Sequence, residues 1–175
     1  MLMLTLGLMF ALAGCGQKSQ TDVVDALTKK MSEIEGYKAD AKMTLKMGSE
    51  PQEYDVEVWY EAPSNYRVNL KNAQKDQSQI ILRNKEGVFV LTPALNKSFR
   101  FQSEWPKNSS QAYLYESLIM DVSDDKDATF KTTDNSYVFE SKTRYQNNKM
   151  LPFQIVEFDK KTLAPKRVEV MDSDR

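Results

Sequence analysis

The feature that most restricts the fold is an alternation of apolar and polar residues with a period of two. In the run 37–47 every second residue is apolar, and lysine, aspartate or threonine stands between. The pattern returns over 54–61 and 66–71, after the turn-forming segments 48–51 and 62–65. Because successive side chains of a β-strand point to opposite faces, each run predicts a strand with one apolar and one wet face. The short turns predict antiparallel pairing.

Shorter runs of the same character predict seven more strands. They cover 80–83, 88–91, 99–101, 128–132, 136–142, 153–159 and 166–171. The turn between the first two of these runs, 84–87, ends in a glycine, as expected where a hairpin needs a positive φ. The first six strands of the chain are therefore expected to form a meander.

Two amphipathic helices are also predicted. The first begins with Thr21 as its cap and ends with Gly36 in the C′ position. Its apolar residues recur every three or four positions: Val24, Leu27, Met31 and Ile34. A membrane-surface helix is the alternative interpretation, although the apolar face is narrow and lacks Trp and Phe. The second helix is predicted from a capping box of Asn108 and Gln111 to about Met120.

A long antiparallel sheet with only two helices buries both of its faces only if it curls. We therefore predict an α+β fold, a curved antiparallel sheet that forms an open half-barrel, with two helices packed on its concave side. The domain is expected to cover residues 21–175. The sequence stops at 172–175, directly after a strand and without a closing element, so we expect this domain to be truncated at its C-terminus.

The N-terminal segment has the pattern of a lipoprotein signal peptide. Residues 2–12 are free of charge and are followed by Ala13, Gly14 and Cys15, the sole cysteine. The run is shorter than the roughly 20 apolar residues that span a bilayer as a helix. We expect a signal peptide over 1–14, a diacylglyceryl group on Cys15 and a lipidated tether over 15–20. The predicted location is the extracytoplasmic face of the cell membrane. A buried cysteine in an apolar helix is the alternative.

Composition argues against several classes of function. The chain has 24 basic and 25 acidic residues and no histidine. The balanced charge argues against a nucleic-acid partner, and the missing histidine removes Ser-His-Asp and Cys-His catalysis and the commonest metal ligand. The acidic segment 121–127 lacks the glycine and terminal glutamate of an EF-hand loop, so a solvated turn is predicted there. We expect no enzyme, no metal and no cofactor.

The apolar faces of the predicted strands supply candidates for lining a hydrophobic ligand. These are Met43, Leu45, Met47, Val56, Val58, Tyr60, Val68, Leu70, Phe99 and Phe101. Methionine and aromatic side chains form an adaptable apolar wall. The alternative is that the same residues form a packed core under the helices.

Two residues of the wet face are candidates for surface contacts. Trp59 lies on the outward phase of its strand and is either an anchor for a partner or an ordinary half-buried tryptophan. Arg67 could meet an anionic head group, and its alternation also places it on the wet face.

Three stretches have a more specific pattern: YDVEVWYEAPSNYRVNL at 54–70, SQIILRNKEGVFVLTPALNKSFRFQSEWP at 78–106 and YQNNKMLPF at 145–153. They resemble the YdcC-type sporulation lipoproteins of Bacillus relatives, within the LolA/LolB-like superfamily of lipoprotein carriers. Pro63, Tyr66 and Arg67 match the strand-turn-strand signature of that superfamily, and Glu86 with Gly87 matches its hairpin. Ala62 stands where the Gram-negative carrier has a basic residue tied to cargo release.

The resemblance implies a half-barrel closed by helices around a hydrophobic cavity. It also implies a membrane-anchored envelope lipoprotein that acts in sporulation and binds an acyl chain, such as palmitate, or another envelope lipoprotein. The carriers are soluble, whereas Cys15 would tether this chain, so shuttling of cargo is not expected. The alternative function is a non-catalytic structural or interaction protein of the spore or cell envelope, with no bound lipid.

Overall fold

The computed structural model describes residues 18–46, 49–72, 74–101, 111–143 and 151–174. Helix α1 covers Gln20–Glu33, helix α2 covers Tyr115–Asp124, and a short 3₁₀ helix covers Pro93–Leu95. The strands are β1 Gly36–Leu45, β2 Gln52–Glu61, β3 Asn65–Asn72, β4 Gln77–Asn84, β5 Gly87–Thr92, β6 Lys97–Arg100, β7 Thr129–Thr132, β8 Ser136–Lys142, β9 Phe153–Asp159 and β10 Pro165–Met171. Each strand predicted by alternation is present, within a few residues of its predicted bounds.

The strands form two antiparallel sheets. Strands β1 to β6 are neighbours in chain order, and the second sheet has the order β10-β9-β8-β7. The predicted α+β class, with an unclosed and curved antiparallel sheet, is confirmed. The division into two sheets was not predicted, and it falls where the chain leaves β6 and forms α2 before it enters β7.

Both helices pack against the four-stranded sheet. Val23 and Leu27 of α1 are fully buried against α2 and strands β8 and β9. The other buried members of this cluster are Tyr115, Leu118, Ile119, Val122, Tyr137, Phe139, Val156 and Phe158. Each fully buried apolar side chain of this size contributes about 1.5–3 kcal/mol to folding. Since the apolar face of α1 is used inside the domain, the alternative of a membrane-surface helix is not supported.

The first turn of α1 is closed by a capping box, two residues earlier than predicted. Ser19 is the cap, not Thr21, and its Oγ accepts a hydrogen bond from the backbone N–H of Asp22 at 3.2 Å. The Asp22 carboxylate in turn accepts from the Ser19 N–H at 2.9 Å. The Ser19 hydroxyl also donates to the Asp22 carboxylate at 2.7 Å. This bond, followed by the one from the Ser19 backbone, holds the pKa of Asp22 below its ordinary value. Reciprocal bonding explains why Ser19 is preferred as the cap.

Gly36 does not end the helix in the C′ position as predicted. It is the first residue of β1, and the helix cap is Ile34 in an extended conformation. A Cβ at position 36 would lie 2.8 Å from the carbonyl oxygen of Tyr60 on β2. Glycine is therefore needed for the close approach of these two strands.

The second helix differs most from the prediction. It runs from Tyr115 to Asp124, whereas the capping box predicted 108–120. Asn108 lies outside the described residues, and Gln111 precedes the helix by four positions. Leu114 caps the helix without a side-chain hydrogen bond. The predicted acidic turn is thus wrong for Asp121 to Asp124, which form the last turn of α2.

Candidate functional site

The strand register places the predicted lining residues of the six-stranded sheet on one face. Ala39, Val58 and Val68 oppose one another across β1, β2 and β3, and the next row along the strands joins Val56 to Leu70. Phe99 on β6 opposes Val90 on β5, in the same phase. Paired residues of an antiparallel sheet share a face, so this side, called here the inner face, is apolar from β1 to β6.

The centre of the inner face is packed against the rest of the domain. Val56, Val58, Tyr60 and Val68 are buried, and Leu114, just before α2, belongs to the same cluster. Met31 of α1 and Ile34, the cap at the end of that helix, pack against its margin, together with Met43 and Leu70. A ligand could contact the four buried residues only by entering this cluster.

The rims of the inner face are open. On β1, Leu45 is 38% exposed, and the neighbouring Ala39 and Ala41 are exposed as well. At the opposite rim Phe99 is 59% exposed and Phe101 is 38% exposed. The inner face therefore has a buried centre and two exposed apolar margins. That the ten residues line a ligand site stays a prediction. Met47, which is one of the ten, and Cys15, the predicted lipidation site, lie outside the described residues.

A group of tyrosines joins the two sheets beside this centre. Tyr37 stacks on Tyr60 with ring centroids 5.1 Å apart, and the Tyr37 hydroxyl accepts from the backbone N–H of Tyr115 at 3.1 Å. Tyr115 donates its hydroxyl proton to the carbonyl of Leu163 at 2.9 Å. Burial raises the pKa of Tyr37, and burial followed by the charge of Tyr37 raises the pKa of Tyr115 to about 12. At neutral pH these hydroxyls act as neutral structural groups.

The opposite, outer face of the six-stranded sheet is polar. A cavity of about 670 Å³ lies over it, and among its lining residues are Asp40, Lys42, Asp55 and Lys71. Lys42 Nζ and Asp55 Oδ1 form an ion pair at 3.1 Å. A cavity of this size is large enough for a small ligand, but five of its ten lining residues are charged, unlike the inner face.

Trp59 lies on this outer face and is half-buried. Lys38 Nζ lies 5.2 Å from the centroid of its ring and the guanidinium of Arg67 lies 5.8 Å from it. Both are distances at which a cation is attracted to an aromatic face. The structure thus agrees with the half-buried interpretation of Trp59, and it confirms that Arg67 is on the wet face.

A buried polar cluster was missed by sequence reasoning. Gln154 is 0% exposed, and its Nε2 donates to Asp121 Oδ2 at 3.1 Å and to Ser141 Oγ at 3.2 Å. Two sequence signals could have revealed it. Gln154 is in phase with the buried Val156 and Phe158, and Asp121 is beside Val122 on the helix face that Leu118 also occupies.

Among residues 18–46, 49–72, 74–101, 111–143 and 151–174, no three His, Cys, Asp or Glu side chains are grouped as a metal site would require. Neither α1 nor α2, nor any other helix in these ranges, has the length and apolar character needed to cross a bilayer.

Comparison with known proteins identifies relatives. A family model described as sporulation protein YdcC-like matches residues 1–175. Over 164 residues the chain is 60% identical to the sporulation protein YdcC of Bacillus subtilis strain 168, covering 94% of this chain and 48% of that protein. The chain therefore spans about half the length of this curated relative.

Two solved structures match the chain at TM-scores below 0.5. One is a chain from the structure of the CwlD amidase of Clostridioides difficile in complex with the GerS lipoprotein, with a TM-score of 0.44, 17% identity and coverage of 91% of this chain and 89% of that one. The other is a DUF1329 family protein of Desulfovibrio piger, with a TM-score of 0.46, 14% identity and coverage of 89% and 73%. Because the family model matches the full length and the curated relative is 60% identical, the chain belongs to the YdcC-like family of sporulation proteins.

Proposed function

We propose that this chain is an envelope lipoprotein that acts in sporulation and binds a hydrophobic ligand on the inner face of its six-stranded sheet. The ligand class is an acyl chain, free or carried on the lipidated end of another envelope protein. The proposed role is binding, not catalysis. The proposed location is the extracytoplasmic face of the cell membrane, with a diacylglyceryl group on Cys15.

The observation that carries this proposal is the pair of open apolar rims. Leu45 and Phe99 belong to the same face as the buried Val58 and Val68, yet both are exposed. An acyl chain that lay along either rim would remove apolar surface from water, at about 25 cal/mol for each Å² buried. Met43, partly buried between rim and centre, has the flexible side chain that irregular apolar ligands favour.

Displacement of a fluorescently labelled palmitate tests the ligand. Phe99→Ser removes the most exposed aromatic ring of the inner face, and we expect unlabelled palmitate to bind about tenfold more weakly, as for the loss of a buried phenyl group. Leu95→Ser is the matched control, because Leu95 is 64% exposed but lies in the 3₁₀ helix and not on the inner face. Equal binding by wild type and both variants, or no binding by any of them, would reject the inner face as an acyl site.

The anchor is tested separately. Cys15→Ala removes the thiol that would carry the diacylglyceryl group, and we expect the variant to lose incorporation of labelled palmitate and processing at residue 15. Wild-type protein that carries no label would reject the anchor and leave the ligand site untouched.

A second function has its own supporting observation. Because Val56, Val58, Tyr60 and Val68 are buried by residues of the same domain, the centre of the inner face already has the packing of a closed core. This favours a structural or interaction protein of the spore or cell envelope without bound lipid. Mass spectrometry of lipids that co-purify with the chain separates the two functions. Bound acyl species support the first, and a folded protein free of lipid supports the second.

A further inference from the structure

One row of residues crosses all six strands on the outer face of the larger sheet. From β1 to β6 the paired positions are Lys38, Trp59, Arg67, Leu82, Phe89 and Arg100. We call these six residues the basic-aromatic row. With neighbouring strands about 4.8 Å apart, the row is about 24 Å wide. It contains three cations, two aromatic rings and a leucine, and it contains no carboxylate.

The three cations of the row are held by rings and by neutral groups. Lys38 and Arg67 lie over Trp59, and the guanidinium of Arg100 lies 5.8 Å from the ring centroid of Phe89. Arg67 Nε also donates to Asn69 Oδ1 at 3.0 Å, and Arg100 donates to the carbonyl of Glu86. Among the residues that the structure describes, no carboxylate forms an ion pair with any of the three cations.

Two exposed lysines outside the row do have carboxylate partners. Lys42 pairs with Asp55 at 3.1 Å on the same outer face, and Lys142 pairs with Asp127 at 3.2 Å beside the smaller sheet. The row therefore keeps three positive charges available to an external anion. The adjacent row contains Asp40 and Glu57, so the positive strip is narrow and ends abruptly.

This composition matches a membrane interface better than other anionic partners. Tryptophan, lysine and arginine side chains are typical of the membrane interface. Tryptophan combines an apolar ring with a polar N–H, and lysine and arginine combine apolar stems with charged heads. A nucleic acid needs a broad basic surface, which the carboxylates of the next row interrupt. The apolar face of α1 is buried inside the domain, so that helix is not available for lipid contact.

We propose that the basic-aromatic row is a contact surface for anionic phospholipid headgroups. Only one part of this proposal rests on the proposed anchor, namely how close the domain is held to the membrane. If Cys15 carries the lipid, Ser19, the cap of α1, follows it by four positions. A fully extended chain spans at most about 14 Å over four such steps. The domain would then stay close to the headgroups, and the row would determine which side faces them. Attraction of the row to anionic lipid is a property of the domain itself and does not need the anchor.

Fluorescence of Trp59 tests the contact directly. The chain has two tryptophans, so Trp105→Phe leaves Trp59 as the only one, and its emission is followed. The full unlipidated chain with this substitution is titrated with vesicles of phosphatidylcholine in which one third of the lipid is phosphatidylglycerol, and with vesicles of phosphatidylcholine alone. We expect a blue shift of the emission, and quenching by brominated acyl chains, only with the anionic vesicles. The apolar segment 2–12 is present in both titrations, so the difference between them reports the row.

Charge variants identify the residues responsible. Each cation near an anionic bilayer contributes about fivefold to binding, so Lys38→Gln, Arg67→Gln and Arg100→Gln together are expected to weaken the anionic-vesicle response about 100-fold. Lys131→Gln, which removes an exposed charge from β7 of the other sheet, is the matched control and should keep the wild-type response.

Three results would overturn the proposal: no shift with anionic vesicles, an equal shift with neutral vesicles, or an equal loss in the Lys131→Gln control. A shift caused by soluble polyphosphate but not by vesicles would also overturn it, because the occupant would then be a soluble polyanion. None of these results bears on palmitate displacement, which concerns the opposite face of the sheet.

Discussion

The two central strands of the four-stranded sheet bury the whole of one face, whereas the six-stranded sheet buries only the centre of its own. On β8 and β9, Phe139, Val156 and Phe158 are each 0% exposed. On the larger sheet the same alternation of residues leaves Leu45 at 38% and Phe99 at 59% exposure. The difference arises from the helices, because α1 and α2 both cover the smaller sheet and reach only the centre of the larger one.

This contrast indicates that the two sheets have different roles, one in the stability of the domain and the other in supplying exposed surface. The smaller sheet and the helices form the core that holds the domain together. The larger sheet extends beyond that core and has exposed surface on both of its faces. The tyrosine group connects them, since Tyr37 belongs to β1 and Tyr115 to α2. Substitutions that are matched between the two sheets should therefore have very different effects on folding and on binding.

The largest effect is expected from truncation of a phenyl ring in the smaller sheet. Phe158 is fully buried and meets Tyr115 and Phe139 edge to face, with ring centroids 6.2 Å and 6.0 Å apart. Phe158→Ala should lower the free energy of unfolding by about 3–5 kcal/mol, because it removes apolar contacts and leaves a cavity. Urea denaturation followed by far-UV circular dichroism measures the change.

The matched control for this prediction is Phe99→Ala in the larger sheet. Its ring is mostly in water, so the free energy of unfolding should change by less than about 0.5 kcal/mol. Comparable losses from the two substitutions would show that the larger sheet is as much a part of the core as the smaller one, which would remove the contrast.

An intermediate effect is expected from the buried amide of Gln154. Gln154→Leu removes the donor to Asp121 and Ser141 and leaves a buried carboxylate with fewer partners. The expected cost is about 1–3 kcal/mol, again measured by urea denaturation.

In the larger sheet Asn69 Nδ2 donates to Glu57 Oε2 at 3.1 Å on the half-buried outer face. Asn69→Leu should cost less than about 1 kcal/mol, since water can replace that bond. A larger loss of stability in Asn69→Leu than in Gln154→Leu would contradict the assignment of the core to the smaller sheet.

Sequence reasoning succeeded where a pattern is local. Alternation located all ten strands, and the meander of β1 to β6 followed from the short turns between them. It failed where tertiary packing decides. Nothing in the pattern of Phe99 differs from that of Phe139, although one is exposed and the other is fully buried, because burial depends on where the helices lie.

The helix ends show the same limit. Thr21 and Ser19 are both acceptable caps, and only the reciprocal bond with Asp22 decides for Ser19. Gly36 has the sequence position of a helix terminator, but its role is the close approach of β1 to the Tyr60 carbonyl, a contact with a residue 24 positions away. For the candidate site, the sequence predicted the members of the apolar face, and the structure was needed to divide them into buried centre and open rims.

A smaller effect, dependent on pH, is expected at the junction of the sheets. The pKa of Tyr115 is raised from 10.0 to about 12, first by burial and then by Tyr37. The stability that neutral Tyr115 contributes is therefore complete below pH 10 and is lost as the pH rises through about 12. Tyr115→Phe should cost about 0.5–1.5 kcal/mol at neutral pH, because the bond to Leu163 is lost. It should also make the loss of stability above pH 10 less steep, with Tyr37, Tyr60 and Tyr66 accounting for the remaining slope. Unfolding midpoints in urea over a pH series test both parts. If Tyr115→Phe left the dependence of stability on pH above pH 10 unchanged, the contribution assigned to the Tyr115 hydroxyl would be wrong.

The smallest effect is expected at the start of α1, away from both apolar faces. The hydrogen bonds from the Ser19 side chain and backbone lower the pKa of Asp22 from its ordinary value of 3.8. The stability from this cap is present above pH 3.8 and is lost as the pH falls through the lowered pKa. In Ser19→Ala the side-chain bond is gone, so the pKa of Asp22 should move back toward 3.8, and titration of the carboxyl carbon by NMR measures the shift. Because the carboxylate is exposed to water, the unfolding midpoint should change far less than in Phe158→Ala. A large change in the midpoint would mean that the first turn of α1 supports the smaller sheet more strongly than its exposed position suggests.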